Sequence, residues 1–460
     1  MAPALRNPPR RPPGPEGHPV LGNLREFAAD TLGFATRLAR EHGDVARFRL
    51  VNREAWLLSG PDAVERVLVA NHRNYVKHTF FWRKVEAIFG RGLLTNEGDA
   101  WLRQRRLAQP AFHHARIAEY ARIMVDYTLD RVAGWSDDEE LDVRSEMTSI
   151  TFRVVAKTLF DAEVMGDVAE IAEAFDTGIE EIARRIRRPV LVPDWIPTRG
   201  NRRYGRAVAR MDRLVYRIID EHRDGRDRGD LLSALMRVED EEGRPMSREQ
   251  LRDETITMLL AGHETTALAL TWMWYLVSQH PEVAERLEAE VDALGGAPGV
   301  EDLPRLPFTE RVVKESLRLY PPAYSFGREA QEDDAIEGWP VAAGTTLFVF
   351  PWVLHRDPRF FPDPLRFAPD RWTADFERDL PRLAYIPFGS GPRMCIGREF
   401  ARMELVLILA AIAQRVRLEW GSEPPVPMAS ITLRPTGGLR AFAGNDSHGL
   451  HLSGRESFDR

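Results

Sequence analysis

The part of the sequence that decides the fold is Phe388-Gly389-Ser390-Gly391-Pro392-Arg393-Met394-Cys395-Ile396-Gly397. Cys395 is the only cysteine among 460 residues, and an apolar helical stretch, 401–416, follows it. Gly389 and Gly391 permit backbone angles and close approaches that a Cβ atom would block. Such a loop can wrap a flat cofactor and turn its N–H groups toward one sulfur, and a buried thiolate needs these donors. On its residues alone, Cys395 could instead be a small hydrophobic residue buried in a Gly-rich turn.

The pattern F-G-x-G-x-R-x-C-x-G resembles the haem-binding loop of the cytochrome P450 family, the haem-thiolate monooxygenases. The resemblance implies that Cys395 is the axial ligand of the iron in haem b, iron protoporphyrin IX. It also implies that Arg393 contacts a haem propionate and that Phe388 packs near the sulfur. The other loop residues assigned to cofactor binding are Gly389, Ile396 and Gly397.

Composition describes an ordinary globular chain, with 43% hydrophobic and 29% charged residues. The net charge of −7 gives no reason to expect binding to nucleic acid. A single cysteine excludes an internal disulfide framework and favours an intracellular, cytoplasmic protein. No window holds about 20 uninterrupted apolar residues, so we expect neither a membrane span nor a secretory signal. Because eukaryotic members of the family usually carry a membrane anchor, the resemblance is to a soluble, bacterial-type member.

The chain reads as one domain over residues 1–442, beginning with an extended proline-rich arm, 1–20, and followed by a polar tail, 443–460, expected to be disordered. The fold class is mainly α with small β-sheets, α+β. By resemblance it is the cytochrome P450 fold, with haem between a long central helix and the cysteine loop. Helical patterns cover 32–42, 61–70, 143–160, 164–185 and 251–279, and strand patterns cover 45–50, 55–58 and 344–350. A hairpin turn is predicted at Thr436-Gly437-Gly438.

The predicted central helix, 251–279, is apolar on nearly all faces, yet Gly262-His263-Glu264-Thr265-Thr266 lies at its centre. With Ala261, this stretch resembles the oxygen-binding groove of the family. The resemblance implies that Ala261 and Gly262 leave room for dioxygen, that Thr265 hydrogen-bonds bound oxygen or a water, and that Glu264 relays protons. Thr265 could instead bond its own i−4 carbonyl. A zinc-protease motif is excluded because the second histidine would fall at Ala267, and His263 is expected to face away from haem.

Trp101 and Arg105 stand four residues apart, on one face of a predicted helix. In the family, W-x-x-x-R at this place grips a haem propionate, and Arg328 is implied to reach the second propionate. The adjacent pair His113-His114 would point apart on a helix, so we do not expect a metal site there.

A substrate pocket follows from the resemblance, and an apolar substrate is expected: a fatty acid, terpenoid, steroid or macrolide-like molecule, left unranked. Trp195 lies in a basic, proline-broken segment, 184–203, that resembles a lid. The predicted pocket residues are Phe80, Phe81, Ala261, Thr265, Ala323, Tyr324, Phe326 and Thr436.

Glu315 and Arg318, spaced E-x-x-R, precede a second arginine, Arg371, in Phe367-Ala368-Pro369-Asp370-Arg371-Trp372. A lone E-x-x-R is usually a surface salt bridge. The order E-x-x-R, P-x-R, C-x-G resembles the buried Glu–Arg–Arg triad of the family, a structural cluster.

The implied reaction is monooxygenation, in which one atom of O2 enters the substrate and the other leaves as water. No flavin or ferredoxin domain is recognised, so electrons are expected from a ferredoxin or flavodoxin with an NAD(P)H-dependent reductase, and the protein is expected to be a monomer. A basic docking face could consist of Arg103, Arg106, Arg382, Arg398 and Arg402, unless these form an ordinary solvated surface. Two alternatives stay open: a haem-thiolate enzyme that uses peroxides or rearranges its substrate, and a non-catalytic haem sensor or carrier.

Overall fold

The computed structural model describes residues 11–79, 82–112, 117–164, 168–187, 193, 195–224, 226–239, 243–421, 423–437 and 439–444. Phe80 and Phe81, predicted for the pocket, lie outside these ranges, as do His113, His114 and the tail from residue 445.

The chain is mainly helical with small sheets, as the sequence predicts. Its α-helices are α1 (Leu24–Ala29), α2 (Thr31–His42), α3 (Pro61–Glu65), α4 (Trp82–Phe89), α5 (Gly98–Ala108), α6 (Ile117–Val132), α7 (Val143–Phe160), α8 (Val168–Arg187), α9 (Arg199–Glu221), α10 (Leu231–Met236), α11 (Arg248–Ser278), α12 (Pro281–Asp292), α13 (Pro307–Leu319), α14 (Pro351–Leu354), α15 (Ala374–Asp379) and α16 (Arg398–Ala413). Its strands are β1 (Val45–Leu50), β2 (Arg53–Leu58), β3 (Tyr75–Val76), β4 (Glu140–Asp142), β5 (Phe326–Ala330), β6 (Asp334–Ile336), β7 (Trp339–Val341), β8 (Thr346–Val349), β9 (Arg417–Trp420), β10 (Val426–Ala429), β11 (Leu433–Thr436) and β12 (Arg440–Gly444).

Helix α11 is the centre of the molecule, and its 31 residues span roughly 46 Å. It packs against α7, α9, α13 and α16. The helix begins three residues before the predicted start, because the Ser247 side chain accepts a hydrogen bond from Gln250 N and so caps the first turn. Its second half is buried on nearly every face, which keeps the central polar residues in a fixed frame.

The main sheet has the order β1-β2-β8-β5-β3, in which β2 and β8 are parallel and the other pairs antiparallel. The proline-rich arm lies along β1, where Arg47 N donates to Pro13 O at 2.8 Å. A Cβ atom on Gly14 would lie 1.9 Å from Arg47 O, so this close approach requires glycine. Residues near the start of the chain therefore pack directly against the edge strand β1 of the main sheet.

The predicted hairpin turn at residues 436–438 is wrong. Strand β11 pairs instead with β10, in the register Val426↔Thr436 and Ala429↔Leu433, so the turn lies at residues 430–432. Strand β12 pairs with β4 and β9 in a separate three-stranded sheet. Gly437 has a φ of 86°, which allows the chain to leave one sheet and enter the other. Strand β12 also continues to Gly444, two residues beyond the predicted domain end.

The segment 61–70 was predicted as one helix, but α3 ends at Glu65 and a π-helical turn, Arg66–Ala70, follows it. This turn faces the cysteine loop, where Gly391 approaches the carbonyl oxygen of Leu68. Among the described residues, none of the helices combines the length and the apolar character that crossing a bilayer requires.

Candidate functional site

The cysteine loop has the left-handed backbone conformations that its glycines permit. Gly389 and Gly391 have φ values of 71° and 69°. A Cβ atom on Gly391 would lie 1.9 Å from the carbonyl oxygen of Leu68, so the loop touches the π-helical turn through a position that admits only glycine. Cys395 N donates to Phe388 O at 2.9 Å and closes the loop.

The Cys395 side chain opens onto a space inside the protein, at the start of α16. Burial among protein atoms raises the pKa of the Cys395 thiol, while the Gly397 N–H and the charges of Arg105, Lys77 and Arg398 act in the opposite direction. A thiolate at this place needs further positive charge, which a metal ion bound to the sulfur supplies.

One face of α11 opens onto the interior through Ala261, which is exposed, and Thr265, which is partly exposed. The Thr265 hydroxyl donates to Ala261 O at 2.7 Å, the i−4 bond considered as the alternative for this residue. Its oxygen can still accept a hydrogen bond. A Cβ atom on Gly262 would lie 2.9 Å from Cγ2 of Val155, so this glycine lets α11 pack closely on α7. The room for a small ligand therefore lies beside Ala261 and Thr265.

The neighbours of Thr265 on the helix point elsewhere. His263 is buried against the rings of Phe152 and Phe175, and its Nδ1 lies 2.7 Å from Leu259 O. Burial lowers the pKa of His263, so it is a neutral core residue. Glu264 is also buried, and its carboxylate is turned toward the C-terminal hairpin β10–β11.

Three cations, Lys77, Arg328 and Arg393, form a group that we call the cation cluster. Arg393 pairs with Glu97, and its guanidinium carbon lies 3.9 Å from the centre of the Trp101 ring. Arg328 is buried and donates to Gly327 O at 2.9 Å, with no carboxylate partner among the described residues. Three positive charges therefore share one carboxylate.

The electrostatics of the cation cluster show that it lacks negative charge. Burial, and then repulsion from Arg328 and Arg393, lowers the pKa of Lys77 to about 7. Burial and repulsion from Arg393 lower the pKa of Arg328 to about 10. Nη1 of Arg393 is buried and has no hydrogen-bond partner among the described residues. These groups fit the two carboxylates of a haem, because an anion there would compensate cations that are otherwise buried at a cost.

Helix α5 brings Trp101 and Arg105 to the cysteine loop. Nη1 of Arg105 donates to Met394 O at 2.9 Å, next to the cysteine, and burial lowers the pKa of Arg105. Trp101 reaches the loop through Arg393, whose guanidinium lies over its ring. The two residues meet the loop together, and their predicted contact with a propionate stays a prediction.

The predicted pocket residues fall into two groups. Ala323 and Phe326 are partly exposed, and the Phe326 ring lies 3.7 Å from the Cβ position of Gly389, beside the cysteine loop. Tyr324 is not brought to this space. It packs into the core under the main sheet, and its hydroxyl donates to Ser430 O at 2.6 Å.

Thr436 was placed in the pocket because the hairpin turn was predicted there, and the structure corrects this. Thr436 lies at the end of β11 remote from the turn and donates to Val426 O at 3.1 Å. The turn at residues 430–432 reaches the interior in its stead, where Ile431 packs against the α11 side of the core. Trp195 is 81% exposed.

Glu315, Arg318 and Arg371 meet in a buried cluster outside the site. Arg318 donates to both oxygens of Glu315 at 2.8 Å, and Arg371 Nε lies 3.3 Å from Oε1. Trp372 Nε1 and Ala368 N also donate to Glu315, at 2.9 and 3.0 Å. This cluster ties α13 to the segment that leads into the cysteine loop.

Sequence reasoning missed four residues of the site: Lys77, Glu97, Thr432 and Arg434. Lys77 lies in a basic and aromatic run from which only the aromatic residues were assigned to the site. Its positive charge is the feature that could have indicated a role in binding an anion. Thr432 and Arg434 contact Glu264 from about 170 residues away in the chain. No local pattern marks either of them.

Comparison with known proteins gives a family and several relatives. The family model for Cytochrome P450 matches residues 12–439. Cyclooctatin synthase of Streptomyces melanosporofaciens is 41% identical over 433 residues, which cover 93% of each chain. Cyclooctat-9-en-7-ol 5-monooxygenase of the same organism is 38% identical, covering 92% of this chain and 93% of its own. Pentalenene oxygenase of Streptomyces avermitilis is 34% identical, covering 91% of this chain and 94% of its own.

Proposed function

The chain belongs to the cytochrome P450 family and is a monooxygenase with a haem-thiolate cofactor, and we propose that it hydroxylates a terpenoid. The observation that carries the haem-thiolate chemistry is the position of the Cys395 thiol, which opens onto the interior near a buried, under-compensated cation cluster. Cys395 would hold the iron, and Lys77, Arg328 and Arg393 would hold the propionates of haem b. When bound, haem supplies the iron at which O2 is reduced and activated.

Protons for this reaction would come through the chain's own residues. Thr265 lies on the open face of α11, where its hydroxyl oxygen could accept a hydrogen bond from a water and its proton could be donated to an oxygen ligand. Glu264 is the adjacent carboxylate and would supply protons from the hairpin side of α11. Because a positioned acid or base typically contributes about 10²–10⁴-fold to a rate, loss of either residue would reduce product formation.

A terpenoid substrate is supported by the lining of the site and by the relatives. Phe326, Ala323, Ile431 and Ala261 offer apolar surface and few hydrogen-bond donors, which suits a hydrocarbon ring system. Two of the similar chains are named for oxygenation of pentalenene and of cyclooctat-9-en-7-ol. The apolar lining would also exclude water during the reaction.

Electrons would come from a separate ferredoxin or flavodoxin and an NAD(P)H-dependent reductase. Of the five arginines predicted for docking, Arg398 and Arg402 pair with Glu399, and Arg402 also with Glu310. Arg382 lies 3.9 Å from Glu65. Arg103 and Arg106 are exposed on α5 and have no carboxylate partner among the described residues, so they are the strongest candidates to attract an acidic partner. The protein would act as a monomer.

The proposal is tested first by the absorption spectrum of the reduced protein under carbon monoxide, beside Cys395→Ser. The expected result is a Soret band at the long wavelength typical of thiolate ligation, lost in the variant. A short-wavelength band in the wild-type protein would contradict thiolate ligation.

The substrate is tested with purified protein, a ferredoxin, its reductase, NADPH and ¹⁸O2. Cyclic terpene hydrocarbons and their mono-alcohols should each be compared with a fatty acid and a steroid. We expect a terpenoid product that carries one ¹⁸O atom. Turnover of the fatty acid or steroid alone would overturn the terpenoid assignment.

A further inference from the structure

The carboxylate of Glu264 is held by the C-terminal hairpin. Thr432 Oγ1 donates to Oε1 of Glu264 at 2.8 Å, and Arg434 donates to the same oxygen from Nε at 3.0 Å and from Nη2 at 2.6 Å. The side chains of Glu264 and Arg434 are 8% and 5% exposed. All three bonds therefore fall on one oxygen, and Oε2 has no hydrogen-bond partner among the described residues.

Arg434 is shared with a second carboxylate. Its Nη2 also lies 3.0 Å from Oδ1 of Asp176 on α8, and Arg144 of α7 donates to that Asp176 oxygen at 2.6 Å. The Asp176 side chain is 38% exposed. The series Asp176, Arg434 and Glu264 thus leads from solvent to the centre of α11.

We propose that Arg434 and Asp176 are positioning residues for proton delivery, with Arg434 holding Glu264 and Asp176 keeping Arg434 compensated whenever Glu264 takes up a proton. The inference rests on the proton role given to Glu264 in the proposed function. Proton supply then enters the molecule at the junction of α8, β11 and α11.

The physical reason lies in what protonation would do to the pair. A proton from water converts the Glu264 carboxylate to a neutral acid, and Arg434 would then be a buried cation without a counter-charge, which is costly. Asp176 removes this obstacle because it already contacts the same nitrogen. Glu264 can then release its proton through water to the open face of α11, where Thr265 lies, and return to the carboxylate, while Arg434 stays charged throughout.

Charges around Glu264 support this assignment. Burial lowers the pKa of Arg434, but Glu264 and Asp176 outweigh burial and raise it. The adjacent His263 is buried and carries no charge, since burial lowers its pKa. Arg434 of β11 contacts Glu264 directly, and His263 precedes it on α11. Asp176 of α8 contacts the same nitrogen of Arg434, and Arg144 of α7 contacts Asp176.

The first test compares Asp176→Asn with Glu264→Gln in the haem-loaded protein. Asp176→Asn should lower the rate of product formation per NADPH about two- to fivefold, the range for a half-exposed ion pair. It should increase the solvent deuterium isotope effect and leave the substrate Kd unchanged. Asp130→Asn is the matched control, because Asp130 is an exposed carboxylate that pairs with a buried arginine, Arg153, away from this site. The control should not change coupling.

The second test does not depend on turnover. Arg434→Met leaves Glu264 buried without a cation, so it should become protonated and give a carboxylic-acid band in the infrared spectrum. The band should be absent from Arg434→Met/Glu264→Gln. Arg434→Lys should restore a carboxylate and most of the coupling.

The results distinguish the roles of Arg434 and Asp176 from the proton role of Glu264. Should Glu264→Gln be impaired while Asp176→Asn behaves like wild type, and Arg434→Met keeps full coupling and shows no acid band, the inference is wrong and the proposed function stands. If Glu264→Gln forms as much product per NADPH as the wild-type protein, Glu264 has no proton role and the inference is wrong as well. Where Arg434→Met does not fold, the Asp176→Asn result decides.

Discussion

Two regions of the molecule contain buried charge, and they differ in how that charge is compensated. In the Glu315 cluster, the carboxylate accepts five hydrogen bonds, including those from Arg318 and Arg371, and Glu315 and Arg318 are fully buried. In the cation cluster, Arg328 has no carboxylate partner among the described residues, and Lys77 has its pKa lowered to about 7 by burial and by neighbouring cations.

The difference separates a structural charge from a binding charge. A buried ion that is paired and hydrogen-bonded within the chain stabilises one arrangement of the backbone and needs nothing more. A buried ion without a partner is tolerated where a ligand supplies the counter-charge. The first kind of site should therefore matter for folding, and the second for retention of the cofactor.

The largest effect is expected for Glu315→Ala. Removing one partner of a buried ion pair costs about 3–5 kcal/mol, and here it would leave Arg318 buried without its counter-ion. We expect little folded, haem-loaded protein. Yield and urea unfolding measure this, and normal haem loading in Glu315→Ala would show that the Glu315 cluster is not needed for folding.

A smaller and more selective effect is expected for Arg328→Met. Loss of a buried charge partner should weaken haem binding by about 2 kcal/mol, or roughly thirtyfold. Folding should not suffer, because the removed charge has no carboxylate partner among the described residues. The rate of haem transfer to a scavenging protein measures the first effect, and thermal unfolding measures the second. Arg318→Met, in which the removed charge is paired, should instead lower the temperature of thermal unfolding.

Glu404 on α16 is a third buried charge: it is as buried as Glu315, but neither of its oxygens has a hydrogen-bond partner among the described residues. Burial raises the pKa of Glu404 to about 8, and the Thr266 side chain acts in the opposite direction. Between about pH 4.5 and pH 8, the folded protein then holds a proton that the unfolded chain has lost, so stability falls as pH rises.

Glu404→Gln should remove this dependence, which amounts to at most about 1.4 kcal/mol per pH unit for one proton. The measurement is the urea unfolding midpoint of both proteins across that range. Parallel curves for wild type and Glu404→Gln would mean that Glu404 stays ionised.

The smallest effect concerns exposed charges. Arg103→Gln with Arg106→Gln should raise the KM for a ferredoxin a few-fold at low salt, by weakening long-range attraction, and the difference should vanish at high salt. Arg202→Gln with Arg206→Gln, the same charge change on α9, is the control. An equal rise in KM in the control would mean that the effect comes from net charge and not from a docking site on α5.

The sequence predicts most of the fold because its helices and main hairpin follow local patterns. Strands β1 and β2 and helix α7 begin and end within two residues of the predicted limits. The hairpin β10–β11 was missed because Pro427 and Pro435 interrupt its strand pattern and its turn, 430–432, contains no glycine. The glycine signal lies instead at Gly437, where the chain passes from one sheet to another. A different limit applies to the site. Cys395 and Thr265 belong to motifs, whereas Arg434 and Glu97 acquire their roles only when distant segments meet.

Contact between Gly391 and the carbonyl of Leu68 has a consequence for how the protein is made on the ribosome. Residue 68 emerges early and residue 391 near the end of synthesis, so the cysteine loop lacks its support until the last part of the chain is available. Long-range contacts of this kind form late. We expect nascent chains that stop before residue 391 to capture no haem, and capture to follow release of the full-length chain.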